Sequence, residues 1–268
     1  MKFRYNDCWL EVISCTMEIF NLSNKVCIIT GASRGLGAAI ARGLALAGAD
    51  VVIVSRTLAT LEEKAQEIRD IGRRVLPLVA DIGNLSDTER IVAETLNVFE
   101  KIDVLVNNAG IAMLKRAEEI TPADWENILR VNLTGTFFCS LAVGKAMIKQ
   151  KSGNIINMAS IGGVVGLPRQ AAYCATKGGV IQLTKALALD WSHYNIRVNA
   201  IAPAYMETDL TEGMRESDII SKNLLSQTPL GRFGKSDEVV GAAIYLASDA
   251  SSYVTGQTIF VDGGWLAM

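Results

Sequence analysis

The chain has few of the residues that build metal sites, disulfide scaffolds or nucleic-acid surfaces. Its 268 residues include one histidine, five cysteines and 6% aromatic residues, and the net charge is -2. His193 alone leaves no histidine-rich zinc site, and we expect no metal. It is also the only candidate base for a Ser-His-Asp triad, and no GxSxG motif is present. Near-neutral charge and few aromatics argue against a nucleic-acid partner.

The cysteines and apolar runs also argue against secretion or membrane insertion. No CxxC pair occurs and the cysteine count is odd, so we expect a reduced, cytoplasmic chain with small buried thiols. No uninterrupted apolar run approaches the ~18 residues that a spanning helix needs. Asp7, Glu11 and Glu18 interrupt any secretory signal at the N-terminus.

Half of the residues are hydrophobic, and short apolar runs alternate with helical patterns. This alternation predicts one α/β domain, with a parallel sheet covered by helices on both faces. Long helices are predicted at 123–150 and 171–193. Irregular chain is predicted from the end of the sixth strand to about Pro229. Ligands of such sheets bind beyond the carboxyl ends of the strands. The predicted strands are 25–30, 51–54, 75–79, 104–106, 154–158, 196–201 and 258–261.

The first predicted strand ends in a glycine-rich loop, TGASRGLG at 30–37. Glycines let the backbone turn sharply and approach a pyrophosphate, and the helix that follows offers free N–H groups. The spacing is GxxxGxG rather than GxGxxG, and a plain strand-to-helix turn would also explain it. Its position after the first strand of an alternating pattern favours a dinucleotide site.

The end of the second predicted strand carries no acidic residue. An NAD site uses an acid there to bind the ribose 2′-hydroxyl. Here Ser55 and Arg56 follow the strand, and Arg34 lies on the neighbouring loop. A guanidinium suits a 2′-phosphate, although both arginines could simply be solvated. The missing acid therefore predicts NADP(H) as the cofactor.

Polar residues follow the next strands as well. Asp81 follows the third, NNAG at 107–110 the fourth and Ser160 the fifth. Tyr173 and Lys177 are four residues apart, on one face of a helix. A Tyr-x-x-x-Lys pair is frequent by chance, and Ser160 alone could cap a strand end. The spaced combination, together with the glycine loop, favours a catalytic site.

On these motifs the chain resembles the short-chain dehydrogenase/reductase family from about Phe20 to Trp265. The resemblance implies a Rossmann-like, doubly wound, seven-stranded parallel sheet in a single NADP-binding domain at 17–268. Residues 1–16 would be an N-terminal extension. The implied catalytic tetrad is Asn132, Ser160, Tyr173 and Lys177. The implied cofactor contacts are Gly31, Ser33, Arg34, Gly35, Leu36, Gly37, Ser55, Arg56, Asp81, Ile82, Asn108, Ala109, Gly110, Tyr173, Lys177, Pro203, Met206 and Thr208.

The resemblance also assigns roles within the tetrad. Tyr173 would be the acid in reduction and the base in oxidation, with its pKa lowered from about 10 by the Lys177 cation. Lys177 would also bind the nicotinamide ribose, Ser160 would hold the substrate oxygen, and Asn132 would position a water. Expected substrate contacts are Ser160, Gly162, Arg169 and Tyr173. Arg169 could bind a carboxylate, or be a solvated or interface arginine.

The expected activity is NADP-dependent interconversion of a secondary alcohol and a ketone, on a sugar acid or polyol. The alternatives are a 3-oxoacyl-carrier-protein reductase and, more remotely, a non-catalytic NADP-sensing protein. The family usually has glycine in place of Ala204. A lid is implied at 208–228, whose Met214, Leu224 and Leu225 pack as helix core or line a pocket. A homotetramer or homodimer would pair the two long helices.

Overall fold

The computed structural model describes residues 18–268, so the expected extension at 1–16 lies outside the described residues. Within this range the chain forms one sheet in the order β3-β2-β1-β4-β5-β6-β7. All neighbouring strands are parallel. The predicted seven-stranded, doubly wound sheet is confirmed. The strands are β1 (Val26–Thr30), β2 (Asp50–Ser55), β3 (Val75–Val79), β4 (Val104–Asn107), β5 (Gly153–Met158), β6 (Ile196–Pro203) and β7 (Thr258–Val261).

Helices cover both faces of the sheet, because successive strand residues point to opposite sides. Ile28 and Val52 belong to one buried apolar cluster, whereas Ile29 and Val51 belong to the other. Both clusters consist of buried residues, so these strands are apolar on each face. The helices are α1 (Gly35–Leu46), α2 (Leu58–Asp70), α3 (Leu85–Phe99), α4 (Pro122–Leu129), α5 (Thr136–Gln150), α6 (Ala171–Trp191), α7 (Glu212–Glu216), α8 (Asp218–Ser226) and α9 (Val240–Ala247).

The helix predicted at 123–150 is continuous but not regular. Between α4 and α5 lies a π-helical segment, Arg130–Gly135, which carries Asn132. The 29-residue stretch Pro122–Gln150 is long and apolar enough to cross a membrane by length and composition, since an 18-residue window within it has a mean hydropathy of 1.3. Half of that apolar window is buried within the protein. Cys139, Val143 and Met147 of α5 pack in the core, as expected for a helix that covers a sheet.

Two short helices, α7 and α8, occupy the chain predicted to be irregular before Pro229. Neither contains a buried residue. Met214, Leu224 and Leu225 are only half-buried, so the prediction that they form a helix core was wrong. Both helices lie on the protein surface, where every one of their residues keeps some exposure to solvent.

Candidate active site

A cleft of about 860 Å³ runs along the carboxyl edge of the sheet. It crosses the point between β1 and β4 where the strand order reverses, the usual ligand position in this architecture. All 18 residues predicted to contact a cofactor line this one cleft, and so does Ser160. Asn132, Gly162 and Arg169 do not line it.

The glycine loop forms a cradle that side chains would fill. Gly31 has a φ of +66°, which favours glycine. A Cβ on Gly37 would lie 2.3 Å from the Gly31 carbonyl oxygen. Asn108 secures the loop by donating from Nδ2 to the carbonyl oxygens of Thr30 (2.9 Å) and Gly31 (3.1 Å). No side chain caps α1, which leaves its first N–H groups for an anion. The residues fit a pyrophosphate.

The end of the cleft beyond β2 is rich in charge. Arg34 and Arg56 both line it, and Arg34 Nη1 lies 3.0 Å from Asp209 Oδ2. Asp81 Oδ2 lies 3.2 Å from Arg130 Nη1, and Asp81 Oδ1 accepts from the Gly83 N–H at 2.9 Å. Burial raises the pKa of Asp81, but these two partners more than offset it, so the pKa lies below its usual value. Asp81 is therefore an ionised hydrogen-bond acceptor near neutrality.

Tyr173 and Lys177 project into the other end of the cleft from successive turns of α6. Lys177 Nζ donates to the Met158 carbonyl oxygen at 2.7 Å and lies 5.8 Å from the centroid of the Tyr173 ring. Burial lowers the pKa of Lys177 to about 8. Burial raises the pKa of Tyr173, and its hydrogen bond with Ser160 opposes this shift.

The expectation that Lys177 lowers the Tyr173 pKa is therefore not met in this structure. Loss of water around the phenolate outweighs the other influences, and the ammonium faces a backbone carbonyl instead. What the geometry does provide is a phenol, a hydroxyl and an ammonium at one enclosed end of a long cleft. This set can donate and accept a proton at an oxygen placed between Ser160 and Tyr173.

Asn132 is buried behind the cleft rather than exposed in it. Its Oδ1 accepts from the Ile111 N–H at 2.8 Å, and its Nδ2 donates to the Ile111 carbonyl oxygen at 2.9 Å. A Cβ on Gly110 would lie 3.3 Å from Asn132 Oδ1 and 3.7 Å from Lys177 Nζ, so both groups border Gly110. Asn132 thus fixes the chain after β4 beside Lys177. The water that it was expected to position stays a prediction.

A row of buried hydrogen-bonded side chains supports this end of the site, and sequence analysis missed it. We call it the polar ladder: Asn107, Asn157, Ser140, Thr136 and Thr184. Asn107 donates to Ser140 at 2.8 Å and to Asn157 at 2.9 Å. The ladder continues from Ser140 through the Thr136 backbone and hydroxyl to the Asn132 carbonyl oxygen. Asparagines at the ends of otherwise apolar strand sequences, VLVN and NIINM, were the available signal.

Gly162 and Arg169, predicted to touch substrate, lie beside the cleft. The Gly162 N–H donates to Ser160 Oγ at 3.1 Å, so Gly162 orients that hydroxyl from behind. Arg169 is exposed, with a φ of +62°, and its carbonyl oxygen accepts from the Lys115 N–H at 2.8 Å. Ala204 does line the cleft and has no positive φ, so the glycine usual in the family is not needed for this backbone.

Comparisons with known proteins agree with this geometry. A family model described as enoyl-(acyl carrier protein) reductase matches residues 31–266. A 2-dehydro-3-deoxy-D-gluconate 5-dehydrogenase of Dickeya dadantii is 42% identical, covering 94% of this chain and 99% of its own. A 3-oxoacyl-[acyl-carrier-protein] reductase of Synechocystis is 41% identical, covering 91% and 97%.

A solved structure extends the similarity to three dimensions. The gluconate 5-dehydrogenase of Burkholderia cenocepacia, crystallised with NADP and tartrate, superposes with a TM-score of 0.92. It is 40% identical, covering 94% of this chain and 99% of that one. Sequence, fold and cleft therefore lead to one conclusion: the chain belongs to the short-chain dehydrogenase/reductase family of oxidoreductases.

Proposed function

We propose that this protein is an NADP-dependent oxidoreductase that interconverts a secondary alcohol and a ketone. The observation that carries the proposal is the single cleft, which joins the glycine cradle to Tyr173, Ser160 and Lys177. When bound, the nicotinamide supplies or accepts the hydride. The glycine loop would hold the pyrophosphate, Ser55 and Arg56 the 2′-phosphate, and Asp81 the adenine. A related gluconate 5-dehydrogenase that binds NADP supports this cofactor.

The protein's own side chains would handle the proton. Ser160 would hold the substrate carbonyl oxygen, and in reduction Tyr173 would donate its phenolic proton to the alkoxide that forms there. In oxidation the phenolic oxygen of Tyr173 would accept the proton of the substrate hydroxyl. Lys177 would bind the nicotinamide ribose beside Tyr173, since its ammonium lies 5.8 Å from the centroid of the Tyr173 ring. Asn132 would hold a water that connects Lys177 with solvent.

The substrate we propose is a sugar acid or polyol. One support is that the relatives include 2-dehydro-3-deoxy-D-gluconate 5-dehydrogenase and gluconate 5-dehydrogenase. The other is that the gluconate 5-dehydrogenase structure contains tartrate, which is also a hydroxy acid. The second candidate is 3-oxoacyl-carrier-protein reduction, favoured by the 41% identical relative. A panel of sugar acids, polyols and acyl thioesters, assayed by NADPH formation or consumption, separates the two. No turnover on any of them would favour an NADP-sensing protein.

Arg169 would select acidic substrates from the rim of the site. Its left-handed backbone is unusual for arginine, and strained conformations concentrate at functional positions. Arg169→Ala should raise KM for sugar acids at least tenfold, about 1.4 kcal/mol, and leave neutral polyols unchanged. Arg116→Ala, another exposed arginine, is the matched control. Equal losses on charged and neutral substrates would remove Arg169 from the substrate site.

We further infer a cytoplasmic homotetramer with no membrane or nucleic-acid partner. The buried free thiols of Cys27 and Cys139 suit a reducing compartment. Pairing of α5 and α6 between subunits would cover half-buried Phe137 and Phe138 and the exposed Leu189. Light scattering at micromolar concentration tests the assembly, and a monomer would overturn it.

A further inference from the structure

An ion pair joins the two sides of the cleft mouth. Arg34, in the glycine loop, and Asp209, 175 residues later, both line the cleft and lie 3.0 Å apart. Their side chains are 76% and 58% exposed, so the pair itself contributes little to stability. Its position is more informative than its strength, since Arg34 lines the same cleft as Ser55 and Arg56.

Asp209 is held in place by its surroundings. It opens a short turn, Asp209–Thr211, in which the Thr208 N–H donates to Thr211 Oγ1 at 3.3 Å. The same Thr211 hydroxyl donates to the Thr208 carbonyl oxygen at 3.0 Å. Upstream, the Glu207 N–H donates to the Gly234 carbonyl oxygen at 2.7 Å. The Asp209 carboxylate is thus presented to Arg34 by an anchored turn.

Arg56 differs from Arg34 in this respect. Among residues 18–268, Arg56 makes no ion pair within 4 Å, although it lines the same end of the cleft. A 2′-phosphate can therefore approach Arg56 without displacing an acidic partner from the described part of the chain. At Arg34 the same phosphate meets a guanidinium whose Nη1 is already bonded to the Asp209 carboxylate, at 3.0 Å. A dinucleotide without the phosphate leaves the Arg34–Asp209 pair intact.

We propose that Asp209 is a cofactor-specificity residue, which competes with the 2′-phosphate for Arg34 and so limits the preference for NADP over NAD. This inference rests on the proposed NADP function. The effect is selective because only the phosphorylated dinucleotide would share the Arg34 guanidinium with the Asp209 carboxylate. Asp209 acts through Arg34 and makes no contact of its own with the phosphate.

The test is a double-mutant cycle read out by equilibrium binding. Dissociation constants for NADPH and NADH are measured by fluorescence titration for wild type, Asp209→Asn, Arg34→Gln and the double variant. Glu212→Gln is the matched control, because Glu212 lines the same mouth and its loss removes the same charge. The expected result is that Asp209→Asn tightens NADPH about threefold relative to NADH, a size typical of exposed ion pairs. The gain should exceed that of Glu212→Gln, vanish in the Arg34→Gln background and shrink in high salt.

Three results would overturn the inference. If Asp209→Asn weakened the binding of NADPH and NADH equally, the ion pair would only hold the cleft closed over either dinucleotide. A gain that matches Glu212→Gln or survives Arg34→Gln would be a general charge effect. No selective gain in a chain that does bind NADPH would reject the competition alone, whereas a wild type that fails to bind NADPH would reject the proposed cofactor as well.

Discussion

The two ends of the cleft are built from different materials. The end beyond β1 and β2 uses glycine backbone and exposed charges, and Arg34 there is three-quarters exposed. The end beyond β4 and β5 uses buried side chains whose polar groups bond to one another. Lys177 and Asn132 are 6% and 1% exposed, and the polar ladder lies behind them. A buried polar group that loses its hydrogen-bond partner costs folding free energy, whereas removing the partner of an exposed charge changes stability little.

This difference separates what each end can change. At the cofactor end, substitution of an exposed charge such as Arg34 or Arg56 should alter which dinucleotide binds while the fold keeps its stability. At the catalytic end, the residues that position the reacting groups also hold α5 and α6 to the sheet. We therefore expect function and stability to be coupled at the catalytic end and separable at the exposed charges of the cofactor end. The following predictions are arranged to test this contrast.

Tyr173→Phe should have the largest effect. It removes the proposed proton donor and keeps the ring, so kcat should fall about 10³-fold, within the range for general acid–base catalysis. NADPH affinity should stay within about threefold of wild type. Steady-state rates and fluorescence titration measure the two effects. Tyr205→Phe is the control, since Tyr205 is a half-buried tyrosine that does not line the main cleft. Substantial activity of Tyr173→Phe would falsify its role.

Asn157→Ala should destabilise the fold strongly. Asn157 Oδ1 accepts from Asn107, and Asn157 Nδ2 donates to Thr184 Oγ1 at 2.9 Å. Both partners would lose a buried hydrogen bond, so we expect the free energy of unfolding to fall by about 2–4 kcal/mol. Urea unfolding measures it. Asn223→Ala, on the exposed face of α8, should cost under about 0.5 kcal/mol. Equal losses of unfolding free energy in Asn157→Ala and Asn223→Ala would show that the polar ladder does not stabilise the fold.

The contrast also explains which parts of the molecule were predictable from sequence. The glycine cradle depends on local spacing, and the other cofactor residues were expected from the family resemblance; all of them line the cleft. The π-helical turn at Asn132 leaves the apolar pattern of the helix intact and gives no local signal. Helices α7 and α8 were missed because they are short, with 5 and 9 residues, and so give an apolar pattern few turns in which to repeat. The Arg34–Asp209 pair depends on the tertiary fold, which joins residues 175 positions apart.

Arg56→Asp should reverse the cofactor preference without affecting the fold. It replaces a phosphate ligand with an acid at the end of β2, where an NAD site carries one. We expect kcat/KM for NADPH to fall by an equivalent of about 1.5–3 kcal/mol, and that for NADH to hold or rise. The melting temperature should stay unchanged because Arg56 is exposed. Arg42→Asp, exposed on α1 outside the cleft, is the control. A wild-type preference for NADH would contradict the assignment.

Lys177→Met should abolish turnover and yet stabilise the protein at pH 7. Burial lowers the Lys177 pKa from 10.5 to about 8, a difference worth roughly 3 kcal/mol. Between pH 8 and 10.5 the unfolded chain binds more protons than the folded one, so stability rises with pH there. Below pH 8 the folded state carries the full cost of a buried cation. Methionine removes that cost but leaves the Met158 carbonyl without a donor, so the net gain should be about 1–2 kcal/mol.

Urea unfolding at pH 7, 8.5 and 10, without dinucleotide, measures this effect. The advantage of Lys177→Met over wild type should be greatest at pH 7 and shrink steadily toward pH 10. Lys185→Met, exposed on the same helix, should show no such trend. A Lys177→Met chain that is less stable at pH 7, or whose difference from wild type is independent of pH, would mean that the ammonium supports the fold. The expected result would instead make Lys177 a residue of the catalytic end that is kept for function at a cost in stability.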